Sequence, residues 1–418
     1  MDADVIVIGA GLAGLQSARR LERGGLSVLV LESADAVGGR VRTDRVDGFL
    51  VDRGFQVLNP AYPAVRRWVD VPALGLQRFG VGAIVRTGDR TTTLAHPLRH
   101  PRHALTTMSS RLTPPSDLMA LARWIGPTLW RATAASRAAS DATLRESLDA
   151  VGLTGRLRRD VLDTFLAGVL ADSTGESSAN YVRLLLRSFA MGAPGLPAAG
   201  MQALPEQLAA ALVGGIRLGT AARELRDTAD GVRVTTDTGS LSARAVIVAV
   251  GPQDVAGLTA LLAPETHGLT TWWFRATGEP RTGPFLLLDA SRPGGGPAGP
   301  IWNSAVISEA APSYAPDGRH LVQATTLLDR PDGRATEAEV RQDLARLYAT
   351  PTDRWEVVAH HVVEHTLPAQ PPPLADRAYT WAGDRVVVAG DHRATGSIQG
   401  ALVSGDRAAR AVATRLRV

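Results

Sequence analysis

Apolar and polar positions near the start of the chain follow an order that predicts a β-α-β unit. Val5-Ile6-Val7-Ile8 is a β-branched apolar run of the kind carried by a strand buried on both faces. It ends in Gly9-Ala10-Gly11-Leu12-Ala13-Gly14, after which Leu15, Ala18 and Leu21 recur at helical spacing until Gly24-Gly25 stops them. Leu26 to Leu31 predicts the second strand. Further along, the pattern predicts a helix over Glu206 to Leu212, a strand over Ile216 to Leu218, and a meander of Arg223 to Leu225, Val232 to Thr236 and Ala245 to Val250. Apolar runs at Phe285 to Asp289, Ile301 to Ser304, Leu321 to Leu327 and Trp355 to Thr366 suit an antiparallel sheet. Val386 to Ala389 reads as a last strand, before a closing helix that opens near Gly396.

The glycines of the first turn have distinct jobs. Gly9 permits the tight turn, Gly11 lets a pyrophosphate approach the backbone, and Gly14 brings helix against strand, so that free helix N–H groups face the anion. Glu32, closing the second strand, is placed to accept hydrogen bonds from ribose hydroxyls and to repel a 2′-phosphate. Gly38-Gly39-Arg40 just beyond it offers backbone amides and a guanidinium as a second grip on pyrophosphate. A GxGxxG alone is a weak signal; strand, helix, strand and acid in register make it specific.

With these residues the chain resembles the flavoprotein superfamily of phytoene desaturases, protoporphyrinogen oxidase, hydroxysqualene dehydroxylase and flavin amine oxidases, whose signature is GxGxxG, a glutamate, then GGR. One departure is Ala34, where relatives often carry arginine. The resemblance returns in Val386 to Asp391 and in Gly396-Ser397-Ile398-Gln399-Gly400. It implies that Asp391 bonds the ribityl chain or lies near the pyrophosphate, and that the amides around Ile398 and Gln399 face the flavin N1–C2=O edge. It also implies that the backbone at Ala222 contacts adenine, and that the loop of Gly54, Phe55 and Gln56 lies beside the isoalloxazine. The cofactor-binding set implied is Gly9, Ala10, Gly11, Leu12, Ala13, Gly14, Glu32, Ser33, Gly38, Gly39, Arg40, Gly54, Phe55, Ala222, Gly390, Asp391, Ser397, Ile398, Gln399 and Ala401. The fold class implied is α/β, a Rossmann-like FAD-binding domain (GR2-type) interleaved with an α+β substrate-binding domain. The cofactor domain takes residues 1–75, 200–259 and 376–418; the substrate domain takes 76–199, mainly helical, and 260–375, an antiparallel sheet.

Composition narrows the chemistry. With no cysteine, disulfides, thioether flavin links and Cys-based metal sites are excluded, so the FAD is expected to be non-covalent. All 45 basic residues are arginine, which removes Schiff-base chemistry and a phosphate-loop lysine. A formal charge of +4 with acids interspersed among the arginines points to no nucleic-acid partner. His361-Val362-Val363-Glu364-His365 matches a zinc motif that needs a helix, but its β-branched surroundings read as strand, so no metal site is expected.

No second dinucleotide motif accompanies the first, and no side chain stands out as catalytic acid or base. Amine oxidases of the superfamily typically use a lysine near flavin N5 and an aromatic residue in the closing motif, where this chain has Ser397. The resemblance therefore favours hydride removal from a hydrophobic small molecule, desaturase- or dehydrogenase-like, with reoxidation by oxygen or quinone. The alternatives are a flavin amine or amino-acid oxidase, an FAD-dependent isomerase and a non-catalytic FAD-binding homologue. Gln56, Trp302 and Asn303 are the candidates to face substrate, with Trp272, Trp273, Phe274, Phe285 and Tyr314 as further apolar lining. A cytoplasmic protein is expected, since no basic segment precedes the first strand. Residues 96–137 carry six arginines against one acid, with Trp124 and Trp130 interleaved, which suits a peripheral membrane contact.

Overall fold

The structure, a computed structural model, describes residues 1–131, 140–375 and 380–417. Residues 132–137 of the basic segment lie outside these. Two sheets carry the architecture. In the first, the strand Ala3–Ile8 runs parallel between Val28–Leu31 and Gly239–Val248, and Val386–Val388 runs parallel to the end of the latter. Ala222–Asp227 and Val232–Thr236 extend it as the antiparallel meander, and Ile216–Arg217 closes the other edge.

The opening strand is apolar throughout because both its faces are covered. Val5 and Val7 pack with Leu15 and Ala18 of the helix Leu12–Glu22 and with the closing helix Ile398–Leu416. Ile6 and Ile8 pack on the opposite side with Val234, Val246 and Val388. This two-sided burial is what a parallel sheet requires.

The second sheet has seven strands in the order Glu356–Pro368, Thr266–Ala276, His320–Leu327, Ile301–Val306, Leu286–Asp289, Gly82–Thr87, Arg90–Ala95. Leu286–Asp289 pairs parallel with Gly82–Thr87, so segments about 200 residues apart in sequence share one sheet. Strand alternation splits its side chains between two faces. Trp272, Phe274, Val322 and Ala324 pack with Val340 and Leu344 of the helix Glu337–Tyr348, while Trp273, Ala305 and Leu321 join the cluster that includes the first sheet's helices. Leu269 and Leu327, also on this inner face, meet Ala167 and Ala171 around the helix Asp163–Leu170. That helix belongs to a helical layer with Pro115–Trp130, Leu144–Ala150 and Ala179–Met191, packed around Trp124, Leu148, Leu166 and Tyr181. No helix among the described residues is long and apolar enough to cross a membrane.

Candidate functional site

At the carboxyl end of the opening strand the backbone makes a floor for an anion. Gly9 has φ +103°, and a Cβ there would lie 2.5 Å from the Ala249 carbonyl oxygen. A Cβ on Gly14 would lie 1.9 Å from the Gly9 oxygen, so the helix can sit this close only without a side chain. At Gly11 the Cβ position has nothing within 4 Å, which leaves room in front of the helix. The Leu15 amide donates to the Gly11 carbonyl, and the amides of Leu12, Ala13 and Gly14 therefore have no intrahelical partner. Gly38 donates to the Ala10 carbonyl at 2.9 Å, and Gly39 comes up beside Gly11. The two glycine turns thus form one surface that suits a pyrophosphate.

Glu32 is buried beside this floor, its carboxylate accepting from the Ala10 amide at 2.7 Å and the Ala34 amide at 2.9 Å. The Ser33 hydroxyl reaches the same carboxylate at 3.4 Å. Thr220 N–H donates to the Glu32 carbonyl, which brings the segment leading into Ala222 alongside. Ala222 itself packs against the cluster containing Ile8 and Leu31.

The far end of the chain closes over the same place. The Arg40 guanidinium donates to Asp391 at 2.5 Å and to the Thr366 carbonyl at 2.7 Å. Gly390 donates to Ser404 Oγ, and its backbone is covered by the His392 ring. His392 is buried with neither ring nitrogen hydrogen-bonded, and burial depresses its pKa to about 4, so the ring is neutral. Ser397 caps the closing helix, accepting from Gly400 N–H at 3.1 Å, and Ala401 N–H returns to the Ser397 carbonyl. The Ile398 and Gln399 amides are then the first-turn donors without intrahelical partners. Two contacts that sequence reasoning missed hold this cap: the buried Tyr181 hydroxyl donates to the Gly396 carbonyl at 2.6 Å, and Ala64 N–H donates to Gln399 Oε1 at 2.8 Å.

The Gly54–Gln56 loop lies between floor and second sheet. The Gln56 side-chain amide donates to the Arg40 carbonyl at 2.8 Å, Phe55 stands edge-on to Phe79, and Gly54 faces Val363. Before the loop, Asp52 is buried and accepts from Thr43 Oγ1, Met201 N–H and the Tyr314 hydroxyl. Burial pushes its carboxyl up to about 6. A cavity of about 400 Å³ opens beside Arg40, lined also by Gln253, Arg334, Val363 and His365.

Several expected lining residues sit elsewhere. Trp272 and Phe274 face the helix Glu337–Tyr348 rather than the cofactor floor, because they are out of phase with Trp273 along the strand. Tyr314 is consumed by Asp52, and Phe285 packs against His100 and His103. Gln56 is committed to backbone carbonyls. Trp302 packs beside Ala167, Leu269 and Val363 and also lines a separate cavity of about 670 Å³ with Arg292 and Arg346. Asn303 is buried on the inner face, its Nδ2 against Gly168. The run from Glu356 to Pro368 is a strand, with Glu364 paired to Arg334, His361 to Asp44 and His365 to Thr266.

The flavin-containing amine oxidoreductase family model matches residues 12–413. The chain belongs to this family. The family is one of flavin-containing oxidoreductases, and FAD is the cofactor of this chain. It is 32% identical over 274 residues to a Mycobacterium tuberculosis protein named "Putative flavin-containing monoamine oxidase AofH", a match covering 60% of this chain and 57% of that one. The chain thus spans little more than half the length of this curated relative. It is 42% identical over 79 residues to putrescine oxidase of Kocuria rosea, covering 19% of this chain and 16% of that one. Among solved structures, cyclohexylamine oxidase from Brevibacterium oxydans IH-35A aligns over 100% of both chains with a TM-score of 0.69 at 17% identity. A "putative protoporphyrinogen oxidase" from Exiguobacterium sp. 255-15 aligns over 99% of both with a TM-score of 0.71 at 18% identity. At these identities the likeness is one of fold. The open floor at Gly11, the free helix amides and the unpartnered His392 nitrogens fit a dinucleotide.

Proposed function

We propose that this family member removes a hydride from an uncharged, largely apolar small molecule, desaturase- or dehydrogenase-like, with reoxidation by oxygen or quinone. Bound FAD supplies the two-electron acceptor. The Gly9–Gly14 and Gly38–Arg40 turns hold the pyrophosphate, Glu32 the ribose, and the Ile398 and Gln399 amides favour negative charge in front of the closing helix. Asp391, Ala222 and the Gly54–Phe55 loop complete the set. The domain division belongs to the same reading: the first sheet draws its strands from the segments assigned to cofactor, the second from those assigned to substrate.

One observation carries the substrate reading. On the inner face of the second sheet's middle strands, Leu269, Thr271, Trp273, Asn303, Gln323, Thr325 and Leu327 are uncharged, and Arg275, at the end of its strand, is paired with Glu356. A cationic amine would find no carboxylate among them to offset its desolvation. An amine oxidised as the free base is the second reading, favoured by the amine oxidases among the relatives. Anaerobic mixing of the holoenzyme with prenyl, carotenoid-like and hydroaromatic compounds, and separately with mono-, di- and polyamines, decides between them. Loss of the oxidised flavin band with the first panel supports hydride removal from an apolar molecule; bleaching by amines alone overturns it.

We propose further that this is a cytoplasmic protein touching anionic membrane through the basic segment. Leu98, Leu105, Met108, Met119 and Trp130 are exposed there, interleaved with Arg99, Arg102, Arg111, Arg123 and Arg131. Its single acid, Asp117, is buried and accepts from the Leu157 amide. Trp124 is not part of this surface: it is 3% exposed, donates to Ser147 Oγ and lies under Arg183.

A further inference from the structure

On the inner face of the second sheet, polar side chains from four strands lie side by side. Asn303 pairs in register with Thr325, Thr325 with Thr271, and Thr271 with His361; one step along, Gln323 pairs with Trp273. Thr271, Trp273, Asn303 and Gln323 are all at most 3% exposed. Gln323 Nε2 donates to Thr325 Oγ1 at 2.6 Å within the row, yet Thr271 Oγ1, Trp273 Nε1, Asn303 Oδ1 and Gln323 Oε1 have no hydrogen-bond partner. On the outer face of the same strands Thr270 pairs with Thr326 at 2.7 Å and Ser304 with Tyr348 at 2.9 Å, and the Trp272 ring N–H stands without a partner. Buried polar groups are ordinarily paired, and a cluster left unpaired on one face calls for a partner from outside the chain.

The position of the row says where that partner sits. His361 reaches Asp44 of the hairpin formed by Thr43–Val46 and Phe49–Asp52 at 3.1 Å, and Val363, two residues on, faces Gly54. On the other flank Asn303 abuts Gly168, where a Cβ would lie 2.1 Å from its Nδ2, so the helix Asp163–Leu170 admits Asn303 only because a glycine stands there. Above and below the row, Leu269, Leu327, Val363 and Ala167 are apolar.

We propose that this row is a recognition subsite for an uncharged group that both donates and accepts hydrogen bonds, a hydroxyl or carboxamide, on an otherwise apolar substrate. This rests on the assignment of the substrate to the inner sheet face. Threonine, asparagine and glutamine side chains offer donors and acceptors, and the Trp273 ring N–H a donor, without any formal charge. Such a site rejects the analogue lacking the polar group, because its own buried atoms then stay unpaired.

The test uses the holoenzyme with benzamide and toluene as paired probes, read through the flavin absorption spectrum, in wild type and in the near-isosteric variants Thr271→Val and Asn303→Leu. Benzamide should perturb the spectrum, each variant should weaken its binding about tenfold, and toluene binding should be unchanged. The thermal midpoint of the probe-free variants should hold or rise, since each removes an unpaired buried group. Equal benzamide binding by wild type and variants overturns the subsite. So does a spectrum indifferent to both probes, or a midpoint that falls by several degrees in both variants, which would reveal structural partners. Flavin bleaching by an apolar substrate is measured separately; an enzyme that bleaches but fails these probe tests keeps the reaction and loses the subsite.

Discussion

Arg40 and Asp391 meet at 2.5 Å although 351 residues separate them in the chain. The arginine comes from the second glycine turn and the aspartate from the end of the last strand, so this one ion pair joins the two sequence motifs that bracket the protein. Asp391 is almost wholly buried while Arg40 keeps 31% of its side chain exposed, beside the cavity it lines. The aspartate therefore depends on the arginine more than the reverse. A buried carboxylate left without its partner is costly, whereas a half-open guanidinium can turn to water.

Arg40→Ala should accordingly lower stability by roughly 1–3 kcal/mol, a figure discounted from a fully buried pair because Arg40 is partly exposed. On the proposed role of this guanidinium as a grip on the pyrophosphate, it should also weaken FAD binding by at least about tenfold. Chemical denaturation of the apoprotein and flavin titration measure the two effects separately. A variant that loses stability but binds FAD as wild type would confine Arg40 to a structural role.

Glu32→Lys should prevent FAD loading. The carboxylate closes the floor by accepting the Ala10 and Ala34 amides, and a cation there can do neither. Gly14→Ala should fail for a different reason, its Cβ driven into the Gly9 carbonyl. The flavin-to-protein absorbance ratio after purification reads both, and fully yellow Glu32→Lys protein would remove the ribose role from this residue. Acid or heat should release intact FAD from wild type, as no cysteine exists to hold it.

The β-α-β unit and its glycine turns were legible because their parts are local: strand, glycines, helix and acid lie within one short stretch, and the close approach of Gly14 is to the Gly9 carbonyl five residues before it. The second sheet was legible as strands only beyond residue 260, and not as faces; Gly82–Thr87 and Arg90–Ala95 fell in a segment read as mainly helical. Trp272 and Trp273 are adjacent and chemically identical, and only the packing of a helix some 70 residues later decides which of them looks inward. Trp124 was read with Trp130 as a surface pair for the same reason, whereas its partners Ser147 and Arg183 lie on other helices. His392, Tyr181 and Asp52 gave no pattern signal, since their burial is created by elements remote in sequence. Gly168 carried a faint one, a glycine inside an otherwise apolar helix.

Asp52 and His392 should oppose each other in the pH dependence of stability. Burial raises the Asp52 carboxyl to about 6, so its contribution is present below about pH 4 and lost as pH rises through 6. Burial lowers His392 to about 4, so its contribution is present above about pH 6.5 and lost as pH falls toward 4. The two contributions run in opposite directions across nearly the same window, so each offsets the other in wild type. Denaturation of flavin-free protein between pH 4 and 7 should show Asp52→Asn gaining stability with rising pH relative to wild type, and His392→Gln losing it. Parallel curves for all three proteins would mean that neither group is perturbed.

The exposed arginine-rich face gives the last prediction, and the structure changes which residues test it. Trp130 is 90% exposed and Trp124 is 3% exposed, so the former can enter a headgroup layer and the latter cannot. Binding to vesicles containing anionic lipid should fall steeply as salt rises, because the attraction comes from guanidinium groups at the surface. Trp130→Ser with Leu105→Ser should weaken that binding severalfold at low salt while leaving flavin content and the thermal midpoint unchanged. Trp124→Ser should instead lower the midpoint, by opening a cavity among Leu148, Leu166 and Tyr181 and leaving Arg183 without its ring. Co-sedimentation at two salt concentrations, with zwitterionic vesicles as the control, reads the first effect. Equal partition to anionic and zwitterionic vesicles, or none to either, would return the face to ordinary solvent, and concentration-dependent dimerisation abolished by Trp130→Ser would assign it to a second copy of the chain.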